Sequence, residues 1–256
     1  MRRRRRKGLS GSAGQEGTDR CILWLDGYDW SCKRFNVPLG THRMQLKTIL
    51  NSVEKHKSFV YGKVRFCRKG GRLALSVSVR PRRNSRPVCC GCNRRGPQYD
   101  RLRARRFEFV PLWGMAVYFV YRMRRVDCRR CGVKVERVPW GEGRCPLTKT
   151  YRWFLASWAK RLAWQEVATV FHTSWQSVFR SVRHAVLWGG VHRKWGKIAA
   201  IGIDEIARRK GHKYLTLVYQ IDEGCKRLLW IGRERTEDSL RGFFRILPER
   251  VAKRIR

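Results

Sequence analysis

Apolar residues change their spacing several times along the chain, and each change predicts a new element. Met44, Leu46, Ile49, Leu50 and Val53 recur at helical intervals and predict a helix over residues 44–55. Residues 58–67 and 72–79 alternate instead, with Leu73, Leu75, Val77 and Val79 on one face and Lys69-Gly70-Gly71 as the turn. Residues 106–110 and 115–123 also read as strands. From residue 150 the period lengthens again. Tyr151, Phe154, Leu155, Trp158 and Leu162 mark a first helix, and Val167, Ala168 and Phe171 the inner face of a short second one over 164–172. A third helix is predicted from about Trp175 to Trp188, with Val178, Val182 and Val186 buried. Thr173-Ser174 supplies its turn and N-cap, and Gly189-Gly190 its stop. Beyond residue 198 the apolar run 199–206, the strand 214–221 and the strand 227–233 are separated by a basic turn at 208–212 and by Asp222-Glu223-Gly224. Thr236 then caps a helix with Glu237 and Asp238 in its first turn, where the macrodipole favours acids.

These elements predict an α+β multidomain chain. Its parts are a zinc-binding β-rich domain over 44–149, a helix-turn-helix three-helix unit over 150–197, and a partial ribonuclease-H-like α/β core over 198–256. Residues 1–43 read as a disordered basic tail: Arg2–Lys7 is a block of like charge, and the glycines and serines after it bury little. Met44 is a plausible natural start.

Charge narrows the partner. Lysine and arginine total 59 against 19 acids, a net charge of +40 and a pI near 11.2, so the field draws polyanions over long range. Nucleic acid comes first, because every neutralised phosphate releases counterions; a solvated basic surface is the bland alternative. The 8 acids of residues 198–256 are the densest acidic group, as metal-holding carboxylates or ordinary surface pairing would both give. No run approaches the roughly 18 apolar residues of a membrane span.

The most specific chemistry lies in the thiols. Cys89-x-x-Cys92 and Cys128-x-x-Cys131 each point two sulfurs at one place, and together they predict a tetrahedral structural Zn²⁺ site. A redox pair would explain one such turn but not two, and no thioredoxin-like pattern surrounds either. The 35 residues between the pairs make a long loop that must carry strands of its own. Cys90 complicates the register, but Cys89 keeps the x-x gap. Cys21, Cys32, Cys67, Cys145 and Cys225 show no regular spacing, and no disulfide framework is expected.

Two further sets stand out. A short helix, a tight turn and a longer helix exposing Gln176, Ser177, Arg180 and Arg183 is a helix-turn-helix pattern, whose bland alternative is a generic three-helix bundle. Gln176, Ser177 and Arg180 are the residues expected to reach bases or phosphates, with Arg183 beside them. His172 and His184 read as packing or capping residues. Asp204 interrupts an apolar strand, where an acid is costly unless paired or on metal. By strand parity it shares a face with Gly202 and Ile206, opposite Ile203. An edge strand with a solvated Asp204 fits the local sequence equally well.

The ordered set of two cysteine pairs, a helix-turn-helix and the segment IGIDEIARRKGHKYLTLVYQID (201–222), with CRRCGVKVERVPW (128–140), resembles the DDE transposases of bacterial insertion sequences, ISL-three family, from about Met44 to Arg256. The resemblance implies binding of double-stranded DNA at insertion-sequence ends and two-metal phosphoryl transfer with Mg²⁺, in which Asp204 is the first catalytic and metal-binding aspartate. It also implies a place in the bacterial cytoplasm at the nucleoid, with no membrane partner, and leaves homo-oligomerisation open. Asp222, Glu223, Asp238 and Glu249 do not match the other two carboxylates. The chain therefore reads as a truncated, catalytically incomplete transposase with an exposed apolar face and protease sensitivity beyond about Lys197. The competing readings are a non-enzymatic DNA-binding protein or repressor of the parent element, and a gene remnant.

Overall fold

The computed structural model describes residues 45–209 and 213–255. The basic tail, the start at Met44 and the centre of the basic turn, 210–212, lie outside the described residues. The chain divides between Val191 and His192 into two compact units.

The first unit is a five-stranded sheet with helices. Helix α1 (Leu46–Val53) precedes β1 (Phe59–Lys69), β2 (Arg72–Pro81), β3 (Gln98–Leu112), β4 (Met115–Cys128) and the short β5 (Gly132–Val135). The order is β1-β2-β4-β3, with β5 on β4; β2 and β4 run parallel and the other pairs antiparallel. Two tight turns set the registers. Gly70 and Gly71 both take positive φ between β1 and β2, and Trp113 and Gly114 do so between β3 and β4, the backbone that a two-residue hairpin loop requires. One face of the sheet buries Phe59, Leu75, Val77, Phe107, Phe119 and Tyr121 around Trp140. Phe59, Phe107 and Tyr121 all meet the Trp140 ring nearly edge-on at 4.7–6.1 Å between centroids.

Strand β3 is much longer than residues 106–110. Its outer half, Tyr99 to Arg106, is mostly exposed and cationic, so no apolar alternation marks it. Backbone pairing with β4 forms it nonetheless.

Helices α2 (Lys149–Trp158), α3 (Trp164–Val170) and α4 (Trp175–Val191) complete this unit. Thr148 caps α2 by accepting from the Tyr151 N–H at 3.2 Å. Val167, Ala168 and Val178 are buried with Leu147, Tyr151 and Leu155, and Val182 packs against them. Val186 is 64 % exposed, which corrects the expected stripe. At 100° per residue, a spacing of four drifts, and Val186 lies about 80° from Val178. Ser181, Ala185 and Gly189 fill the face instead. Gly189-Gly190 also fails to stop the helix, which runs on to Val191. The ring of Trp188 near its end meets Trp153 of α2 at 5.3 Å, so packing supports the last turn.

The second unit is an antiparallel sheet of β6 (Ile201–Arg209), β7 (Lys213–Gln220) and β8 (Arg227–Arg233), then α5 (Glu237–Ile246) and α6 (Glu249–Ala252). Thr236 caps α5 through the Ser239 N–H. Ile198, Val218, Leu229, Phe243, Leu247 and Val251 form the core between one sheet face and the helices. Across the register, Asp204, Leu217 and Ile231 are paired positions, and Ile206, Leu228 and Ile231 are 41–52 % exposed. No helix of the described residues is long and apolar enough to cross a membrane.

Candidate functional site

Four sulfurs meet at the end of the first unit's sheet. Cys89 and Cys92 lie on the loop between β2 and β3, Cys128 ends β4, and Cys131 lies in the turn into β5. Their ligand atoms all lie within 4.8 Å of one another, and Cys92 and Cys128 Sγ are 3.5 Å apart. Zinc–sulfur bonds of about 2.3 Å would set tetrahedral sulfurs about 3.8 Å apart, close to this spacing.

The local backbone explains the convergence. In the first turn the Asn93 N–H donates to the Cys89 carbonyl at 3.0 Å, and Asn93 takes φ 58°. Gly91 serves approach rather than φ: a Cβ there would sit 3.2 Å from Cys131 Sγ. In the second turn Gly132 carries the positive φ, 69°. Backbone pairing then ties the two together. Cys90 N–H donates to Val135 O and Arg137 N–H to Val88 O at 2.7 Å, with Glu136 bridged to Cys89. Glu136 is buried and accepts from the Arg124 N–H, the Arg124 guanidinium and the Tyr121 hydroxyl.

The crowded thiols perturb one another's ionisation. The Arg130 and Cys131 backbone N–H groups pull Cys128 down to about 7. The hydrogen bond with Cys92, then burial and the other sulfurs, push Cys131 up to about 12. Four crowded thiolates repel one another, and a divalent cation relieves that repulsion. The cluster can therefore bind a metal ion. Among the described residues it is the one group of three or more His, Cys, Asp or Glu close enough to share one.

The predicted reading residues fall at the start of α4. Gln176, Arg180 and Arg183 are exposed. Ser177 is half-buried, and its hydroxyl lies 3.0 Å from that of Ser174, which caps the helix through the Ser177 N–H. Arg180 and Arg183 border a cleft of about 410 Å³ that Arg144 and Arg152 also line. Residues 171–174 join α3 to α4. His172 takes φ 51° and the Thr173 N–H reaches back to Ala168 O at 2.9 Å, closing α3 as a Schellman cap with histidine where glycine is usual. His184 meets Trp153 edge-on at 5.9 Å between centroids and lies 3.8 Å from Glu142; burial lowers its affinity for a proton.

Sequence reasoning missed one basic surface. On the sheet face opposite Trp140, Lys63, Arg65 and Arg80 surround Ser76, Ser78 and Val120 in a shallow groove of about 340 Å³. The signal was the polar half of the β1 and β2 alternation, where cations and serines share one side.

Asp204 is exposed on β6, an edge strand, and its Oδ1 accepts from the Glu205 N–H at 2.8 Å. The apolar run around it is thus no burial of the acid. Asp222 is structural: it accepts from the Ala199 and Ala200 N–H groups and from Gln220. That bonding, Gln220 first, holds its carboxyl below the usual range.

With a cysteine cluster able to hold a metal, three helices bearing exposed cations and a second unit opening on Asp204, the comparison with known proteins becomes informative. Residues 201–256 match the family model DDE_Tnp_ISL3, a transposase family. Residues 201–256 thus belong to this ISL3 transposase family. The chain is 30% identical over 184 residues to the transposase for insertion sequence element IS1001 of Bordetella parapertussis, covering 71% of this chain and 44% of that protein. It is 31% identical over 189 residues to the transposase for insertion sequence element IS1557 of Mycobacterium tuberculosis, covering 72% and 42%. The chain thus spans less than half the length of these relatives. No solved structure matches it.

Proposed function

We propose that the chain acts in the transposition of an insertion sequence, with its first unit binding the terminal inverted repeats as double-stranded DNA. The observation that carries this reading is the match of residues 201–256 to a transposase family, in a chain whose preceding unit exposes cations. In this reading Arg180 and Arg183 hold phosphates, Gln176 reaches base edges, and Ser177 fixes the start of α4. The four cysteines fit Zn²⁺ in a closed structural site. Bound as thiolates, the four would fill a tetrahedral ion and leave no position for substrate.

Mg²⁺ chemistry belongs to the same reading through Asp204. Asp204 is one carboxylate, and no cluster of three or more ligating side chains includes it among the described residues. That is too few donors for a two-ion centre, so its role here is limited to presenting one exposed oxygen donor. The exposed apolar positions around it, Ile206, Leu228 and Ile231, fit a surface that packs against further protein.

The test is fluorescence anisotropy with a duplex carrying an element end and a shuffled duplex. Tighter binding of the end, lost in an Arg180→Ala/Arg183→Ala variant, supports the proposal. Equal affinity for both duplexes overturns the end-binding role.

A further inference from the structure

The first unit has a third concave basic feature besides the α4 cleft and the groove on β1 and β2. A cavity of about 550 Å³ opens between β3, β5 and the loop before α2, a volume in the range that takes a nucleotide-sized molecule. Its apolar lining comprises the buried Met123 and Val138 and the exposed Leu102. Its rim is cationic, with Arg103, Arg144, Lys149 and Arg137, whose Nη1 also donates to Asn93 Oδ1 at 2.7 Å. The acids on its lining are engaged elsewhere. Glu136 is consumed by Arg124 and Tyr121, and Glu142 pairs with Arg152 at 2.8 Å and lies near His184. Arg105 is also occupied: it donates to the Gly143 and Cys145 carbonyls at 2.8 and 2.7 Å and so shapes the loop that forms one wall.

Lys149 is the telling residue. It is half-buried, and burial, then the field of Arg137, disfavours its charged form, with Glu142 offsetting only in part. A half-buried ammonium repelled by a neighbouring guanidinium gains from an anion between them. A bare phosphate would satisfy the rim but leave the apolar lining uncovered.

We propose that this cavity receives one nucleotide extruded from the bound duplex, its phosphate on Lys149, Arg137 and Arg103, and its sugar and base against Leu102, Met123 and Val138. The proposal rests on the DNA-binding reading above and adds a site that the α4 surface does not contain. Binding there takes up one strand position by shape and charge, whatever the base.

The full chain tests it in two titrations. With thymidine monophosphate, the amide resonances of Gly141, Gly143 and Lys149 should shift and saturate, with inorganic phosphate about tenfold weaker. Lys149→Gln and Arg103→Gln, each checked for an unchanged melting temperature, should each weaken the mononucleotide about tenfold, the loss of one charge-assisted contact. On end duplex they should flatten the dependence of log affinity on log salt by about 0.9, one phosphate's worth. Equal binding of inorganic phosphate and mononucleotide would overturn the nucleotide assignment, as would unchanged slopes in both variants. A chain that binds no duplex at all defeats the DNA reading, while the mononucleotide titration still reports on the cavity.

Discussion

Replacing Glu136 by alanine should be among the most damaging single changes in the first unit. The carboxylate is 1% exposed and the Arg124 side chain 4%, so water screens neither partner. Glu136 Oε1 accepts from the Arg124 N–H at 2.7 Å and from the Tyr121 hydroxyl at 2.5 Å, and Oε2 from Arg124 Nε at 2.9 Å and Nη2 at 2.8 Å. Without it the guanidinium keeps one protein acceptor among the described residues, the Ser85 carbonyl at 2.8 Å. Breaking a buried ion pair from one side costs about 3–5 kcal/mol, chiefly as the stranded charge. The orphaned N–H and hydroxyl add to this without summing simply, so about 4 kcal/mol is expected. That is a large share of the roughly 5–15 kcal/mol available to a domain. Guanidinium unfolding followed by tryptophan fluorescence would show a midpoint about 1 M lower, for a slope of about 4 kcal/mol per M. Arg124→Met with Glu136→Leu should recover most of the loss, because the pair's desolvation is then avoided. As a control, Arg241→Ala, whose partner Glu237 is 80% exposed, should change stability by less than about 0.5 kcal/mol. A loss below about 1 kcal/mol for Glu136→Ala would refute the reasoning.

Other expectations follow from the same geometry. Burial pushes His56 down to about 4 from 6.5, so the unfolded chain binds its proton first. Stability should therefore fall as pH drops from 6.5 towards 4. Glu54, raised mainly by burial, acts in the opposite sense, so comparison with His56→Asn isolates the histidine; identical pH profiles would contradict it. Cys128→Ser should lower bound zinc, measured by mass spectrometry, from one ion per chain to a small fraction; full occupancy would remove Cys128 from the ligand set. Asp204→Asn should change the unfolding free energy by less than about 0.5 kcal/mol, because the side chain is exposed; a larger loss would mean that the carboxylate is structural.

Much of this molecule was legible before its structure. The turn at Gly70-Gly71, the strands on either side, the inward Val167 and Ala168, and the Thr236 cap all follow from local rules, and tertiary packing agrees with them. The four cysteines converge because x-x spacing and backbone turns act locally, although 35 residues separate the pairs. The failures have a common physical source. The outer half of β3 is held by ladder bonds to β4 and carries cations, so its side chains show no alternation. Helix α4 outlasts its glycine pair because Trp188 packs on Trp153, and a four-residue spacing misjudged Val186. His172 closes α3 in a conformation that its side chain does not announce. For Asp204 the local sequence left a buried acid and a solvated edge position equally open, and the structure has the solvated one, on edge strand β6. Neither the cationic cavity nor the basic groove could be read from one segment, since each draws on several.

In the function proposed here, a metal held by Cys89, Cys92, Cys128 and Cys131 shapes the unit that binds DNA. The direct measurement is end-duplex affinity of the full chain after metal is stripped by a chelator and then returned. Binding should collapse on stripping and recover with one equivalent of Zn²⁺ but not with Mg²⁺, because four thiolates suit the softer ion. A stripped chain that binds the duplex as tightly as the zinc-loaded one would contradict the claim.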